Sequence, residues 1–164
     1  MLEIKLKTNL SDLEDLTSEF PEASREARIA RITEALNLLE REIKQRTPWG
    51  AGPIHLRDTI YPSGPHVQGN NVWGSIGTPL EHGEPVEYGT RPHFPPIAPI
   101  QFWVEKKLGL AGAEARSAAF LIARTISVHG TKGAHMFEKG FEAAESRVIR
   151  ILENIPDDIV RKTL

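Results

Sequence analysis

Ten of the chain's twelve prolines and eight of its thirteen glycines fall between Pro48 and Pro99. No long helix can run through such a stretch. Proline lacks the amide donor and clashes with the preceding turn, and glycine loses the most backbone freedom on ordering. Long helices are therefore confined to the flanks, and the 164 residues divide into zones at 1–47, 48–99 and 100–164. The middle zone has only Arg57 and Arg91 as basic residues and Asp58, Glu81, Glu84 and Glu87 as acidic ones, yet it carries Trp49, Tyr61, Trp73, Tyr88 and Phe94. Disordered linkers are poor in aromatics and rich in charge, whereas low charge with aromatic side chains suits a protein–protein contact. Short strands are expected at 71–77 and 57–61, joined by extended loops.

In the first flank, Ile4 and Leu6 alternate with Lys5 and Lys7 as on a half-buried strand. Ser11 reads as the N-cap of a short helix carrying Leu13 and Leu16, with Asp12, Glu14 and Asp15 at its positive end. Pro21 then suits the first turn of a longer helix. In that helix Ile29, Ile32, Leu36, Leu39 and Ile43 recur at spacings of three and four, and Pro48 stops it. In the last flank, a short helix with Ile100, Trp103, Val104 and Leu108 closes at Gly109. An alanine-rich helix over 113–128 presents Ala115, Ala119, Ile122 and Ile126, and His129-Gly130 end it before a loop over 131–135. A last helix over 136–153 presents Phe137, Phe141, Ala144, Val148 and Ile151; Pro156 ends it, with one further turn over 157–163.

These elements predict an α+β fold in one domain spanning 1–164, a small antiparallel sheet from the middle of the chain packed against long N-terminal and C-terminal helices. A formal net charge of −2 lacks the basic surplus that general phosphate-backbone binding needs. The absence of cysteine removes disulfides, thiolate metal sites and cysteine nucleophiles, and fits a reducing compartment. No apolar signal-peptide core opens the sequence, and no run approaches the roughly 18 apolar residues of a bilayer span. The expectation is a protein that is soluble and intracellular when made, with no membrane partner.

Candidate chemistry is sparse. None of the six histidines forms an i, i+4 pair on a helix, and HExxH is absent. His82 with Glu81, Glu84 and Glu87 offers divalent-metal ligands for a hydrolase or nuclease. Gly83 and Pro85 make the same stretch an exposed acidic turn, and that reading is preferred. Gly130-Thr131-Lys132-Gly133 lacks the earlier glycine and the preceding strand of a phosphate loop. Ser63 and Ser75 lie among glycines without a GxSxG elbow. Lys106, Lys107, Arg116, Arg124, Arg147 and Arg150 are candidates for a small nucleic-acid-binding module, but their spacing equally describes solvated helix faces. Trp103, on a periodic apolar face, reads as core; Trp49, between Pro48 and Gly50, reads as a loop anchor or an interface plug. Neither catalytic residues nor a cofactor or metal site is expected.

The run Val86-Glu87-Tyr88-Gly89-Thr90-Arg91-Pro92 resembles the EfGTrp signature of the tailed-phage tail-component and head–tail joining family that includes minor tail protein Z. Other blocks follow in the family's order: Arg46-Thr47-Pro48 with Gly52 and Leu56 to Ile60, Trp73 to Thr78, Ile97 to Gly109, Ile122 to Ile126, and Gly130 to Phe137. The resemblance covers roughly residues 25 to 150, and Gly83-Glu84-Pro85 stands where many members carry Tyr-Ala. It implies a non-catalytic structural protein that completes the tail or joins it to the head. Such a protein is expected to form a ring of its own copies, a hexamer, between the head connector and the tail terminator or tail tube. Genomic DNA passes through the ring, which is assembled in the host cytoplasm and ends in the virion neck or at the head-proximal end of the tail.

A ring subunit needs two different surfaces. One is expected from Trp49, Ile54, Leu56 and Tyr61, the other from Tyr88, Arg91, His93 and Phe94. Glu87, Gly89 and Thr90 act as a structural motif, with a positive φ at Gly89 and a Thr90 hydroxyl bonded in the local turn.

Overall fold

The computed structural model describes residues 2–7, 14–50 and 54–163. The expected cap Ser11, with Asp12, Leu13 and Gly52, lies outside the described residues, as do the side chains of Glu14, Asp15 and Leu16. The fold is α+β, as expected, with helices before and after a small antiparallel sheet. The chain divides into two compact units that cut across the three zones: one takes 47–59 and 79–135, the other 2–46, 60–78 and 136–163.

The second unit holds β1 (Leu2–Lys7), α1 (Glu14–Glu19), α2 (Pro21–Arg46), β2 (Tyr61–Gln68), β3 (Asn71–Thr78), α6 (Met136–Glu153) and α7 (Ile155–Thr163). Its sheet runs β1-β3-β2, antiparallel throughout, with Ile4 opposite Ile76 and Leu6 opposite Gly74. Leu6 is buried while Lys5 and Lys7 are exposed, so the alternation read from sequence sets the faces of β1. At Gly74 an added Cβ would lie 2.5 Å from Leu36 Cδ1 and 3.3 Å from Ile32 Cγ2, so the missing side chain is what lets α2 rest on β3.

The apolar stripe of α2 is wider than its period suggests. Ala27, Ile32, Ala35, Leu36, Leu38, Leu39 and Ile43 are all buried, because α2 faces the sheet on one side and α6 and α7 on the others. Burial of each large aliphatic side chain contributes about 1.5–3 kcal/mol. Ile155 and Ile159 of α7 close over Ala27, and Pro156 lies in the first turn of α7, where a missing amide removes no helical bond. Arg28 is buried too: its Nε donates to the Ser24 carbonyl at 3.1 Å and its Nη1 to the Asn70 carbonyl, tying the β2–β3 turn to the helix. Burial pushes this guanidinium below the usual arginine value.

The first unit holds a 3-10 turn (Leu56–Thr59), α3 (Gly83–Tyr88), β4 (Gly89–Thr90), α4 (Ile97–Leu108), α5 (Gly112–His129) and β5 (Thr131–Lys132). Val104, Ala115 and Ala119 form the buried seam of the α4–α5 hairpin, with Ile97, Ile100, Trp103 and Ile122 packed against it. Gly109 closes α4 in the left-handed region, as expected.

Four local expectations are corrected. The strand expected over 57–61 is present only at Tyr61, where β2 begins; the 3-10 turn occupies 57–59, and the Thr59 hydroxyl bonds the Leu56 carbonyl. The strand β2 was hidden by Pro62, Gly64 and Pro65, which the sheet accommodates because β2 lies at an edge with a register shift between Ser63 and His66. Gly83-Glu84-Pro85 opens helix α3 and is no turn. Within the presumed loop over 131–135, Thr131 and Lys132 pair with Thr90 and Gly89.

Candidate assembly surface

The two sequence blocks around Gly89 and Gly130 meet as a small glycine-locked clasp. Thr90 and Thr131 hydroxyls lie 3.0 Å apart, and the Thr131 amide donates to Thr90 Oγ1 at 3.2 Å. The amides of Ala134 and His135 donate to the carbonyls of Val86 and Glu87 at 2.8 and 3.0 Å, which satisfies the end of α3. A Cβ at Gly89 would overlap the Thr131 carbonyl, one at Gly130 the Thr90 carbonyl, and one at Gly133 the Glu87 carbonyl. Gly89 and Gly130 also have φ of 82° and 69° with extended ψ, a region open essentially to glycine alone. The positive φ expected at Gly89 is present, whereas the Thr90 hydroxyl, expected to bond its own turn, bonds Thr131 across β4–β5 instead. Glu87 is buried at 2% exposure, under the clasp rather than on the surface.

Beyond the clasp the chain runs along α5. The His93 amide donates to the Ile126 carbonyl at 3.4 Å, His93 Nδ1 lies 2.9 Å from the Arg91 carbonyl, and the Phe94 ring packs on Phe120 with centroids 6.3 Å apart. Tyr88, Arg91, His93 and Phe94 are all exposed, Tyr88 by 65% and Phe94 by 55%. Phe120, Leu121 and Val128 of α5 are exposed as well, as are Phe102 and Leu108 of α4. Sequence reasoning followed the alanine face of α5 and missed its outer face. The adjacent Phe120-Leu121, off the Ala115–Ala119–Ile122 stripe, was the available signal.

The other expected patch does not hold together. Trp49 and Ile54 are exposed, but Leu56 is buried at 6% and belongs to the core, since the 3-10 turn directs it inward. Tyr61 is exposed at the start of β2, in the other unit. Trp49 lies beside His55, with Lys107 Nζ 5.2 Å from its ring centroid.

The chemical alternatives find little geometry. Glu81, His82 and Glu84 are exposed while Glu87 is buried, and the structure does not bring these four together as a ligand set. Ser63 Oγ does lie 3.1 Å from His66 Nε2, but the pair is exposed on an edge strand. The His66 ring stacks on Trp73 at 4.5 Å, and among the described residues no carboxylate is bonded to it. A serine nucleophile needs the imidazole oriented by a third group and a site for the oxyanion. Lys106 and Lys107 lie over the rings of Phe102 and Trp49, in cation–π contacts rather than in a basic stripe, and Arg116 and Arg124 are exposed on α5. No helix among the described residues is long and apolar enough to cross a membrane. A scan of protein-family models and searches of curated proteins and of solved structures find no match to this chain.

Proposed function

We propose that this protein is a non-catalytic assembly subunit that completes a phage tail or joins it to the head connector, acting as a ring of its own copies. The observation that carries this reading is the exposed aromatic surface of the first unit, where Tyr88 and the Phe94–Phe120 pair stand on a frame fixed by the β4–β5 clasp and α5. Contiguous exposed apolar side chains mark interaction surfaces, and aromatic residues dominate interface energetics. A backbone locked by glycine close contacts suits that role, because a preformed surface loses little entropy on association. The small negative net charge is compatible with a channel that DNA traverses without being held. The expected contact is accordingly redrawn around Tyr88, Arg91, His93, Phe94, Phe120 and Leu121, with Leu56 removed.

The test is the double substitution Phe94→Ala/Phe120→Ala, followed by light scattering over a concentration series and by circular dichroism. Both rings are about half exposed, so the helical spectrum is expected to persist while the large species disappears. Full assembly by the variant would refute the surface.

A further inference from the structure

On the second unit, Glu34, Asn37, Leu38 and Arg41 of α2 and Arg147, Arg150 and Ile151 of α6 line an open groove of about 470 Å³. Leu38 and Ile151 form an apolar floor, and three guanidiniums face a single lining carboxylate, Glu34, which Arg31 holds at 2.9 Å. Arg147 donates through Nη2 to Glu42 Oε1 at 2.9 Å and to the Ala143 carbonyl at 3.0 Å, which fixes its direction. The Arg41 side chain is 59% exposed and its nearest carboxylate oxygen, on Glu42, is 3.9 Å away; Arg150 is also exposed. A guanidinium presents a planar fork of donors matched to a carboxylate.

We infer that this groove receives the acidic N-terminal segment of a second copy of the chain. Residues 8–24 carry Asp12, Glu14, Asp15, Glu19 and Glu22 with no lysine or arginine, and Leu10, Leu13 and Leu16 recur between them at intervals of three. Carboxylates complement the arginine rim, and leucines complement the floor. Glu19 is exposed at the end of α1 and Glu22 in the first turn of α2. Glu22 stands roughly 18 Å along α2 from Glu34, so its carboxylate does not reach the groove of its own chain. Duplex DNA fits less well: the rim offers three cations around a carboxylate, and a phosphodiester gains nothing from Leu38 and Ile151. The pairing joins two different surfaces, which is what a ring contact requires. It rests on the ring reading for its purpose and not for its chemistry.

The test is fluorescence anisotropy of a labelled peptide of residues 8–24 titrated with the full-length chain and with Arg41→Glu/Arg150→Glu, whose exposed positions leave the fold untouched. Binding that falls off with salt and weakens at least about tenfold in the variant is expected. No binding, or equal binding to both proteins, overturns the inference. So does a duplex DNA oligonucleotide that displaces the peptide and itself loses affinity in the variant. Peptide binding by a chain that stays a monomer both alone and mixed with connector and tail-tube proteins would keep the groove and refute the ring. A ring that ignores the peptide and survives the double reversal would do the opposite.

Discussion

Gly109 and Gly130 share a φ of 69° but differ in everything around it, and that makes them a controlled pair. Gly109 is left-handed with ψ of 11°, and a Cβ built there meets nothing within 4 Å. Alanine at this position bears only the backbone penalty, about 1.5 kcal/mol. Gly130 has ψ of −158°, where a non-glycine residue costs about 2 kcal/mol. Its Cβ would also overlap the Thr90 carbonyl, and forcing extra volume into a packed site adds about 2 kcal/mol more. Gly130→Ala should therefore lose about 2.5 kcal/mol more than Gly109→Ala, a gap of about 5–10 °C in Tm for a chain of this size. Thermal unfolding followed by tryptophan fluorescence measures both, since Trp49 and Trp103 lie in the same unit as the clasp. Equal losses in the two variants would mean that β4 and β5 do not approach as described, and the frame of the proposed surface would fall with them.

Other consequences concern charge and core. The Asp158 carboxyl is held below the usual range by hydrogen bonds from Arg31, at 2.6 and 2.9 Å, and Glu42 by Arg147 and then Arg46. A carboxylate lowered in the folded state contributes stability that is complete above its unfolded pKa and is lost as the pH falls through its folded value. Urea midpoints should thus drop toward acid in the wild type. Asp158→Asn should lower the stability at neutral pH by about 1–2 kcal/mol and flatten that acid slope; an unchanged slope would refute the pair. Leu56→Ala should cost about 2–5 kcal/mol as a core truncation, whereas Tyr88→Ala should leave Tm nearly unchanged and reduce self-association. The reverse pattern in unfolding and light scattering would return Leu56 to the surface and Tyr88 to the core.

Helical period was enough to locate α2, α4, α5 and α6, because each repeats its apolar positions over several turns and is punctuated by proline or glycine. Of Asn71–Thr78, residues 71–77 were legible from Val72 and Ser75 set among glycines. What escaped were elements defined by partners distant in sequence. The strands β4 and β5 are two residues each and exist only through pairing across about 40 positions, which no local pattern encodes. Pro62 and Pro65 argue against a strand unless its edge position is known. Leu56 illustrates a smaller failure: one apolar residue on a single turn gives no period, so its inward direction was invisible. In the proposed surface, Tyr88, Arg91, His93 and Phe94 were named from the sequence, while Phe120 and Leu121 required the packing of Phe94 on α5 to be seen.

Sedimentation velocity of the purified chain, alone and mixed with the head connector and tail-tube proteins that the proposed function calls for, with negative-stain imaging of the largest species, bears most directly on the proposed assembly role. The account predicts a closed ring, formed alone or on those partners, and abolished by Phe94→Ala/Phe120→Ala. A two-fold dimer that never grows and binds neither partner would contradict it.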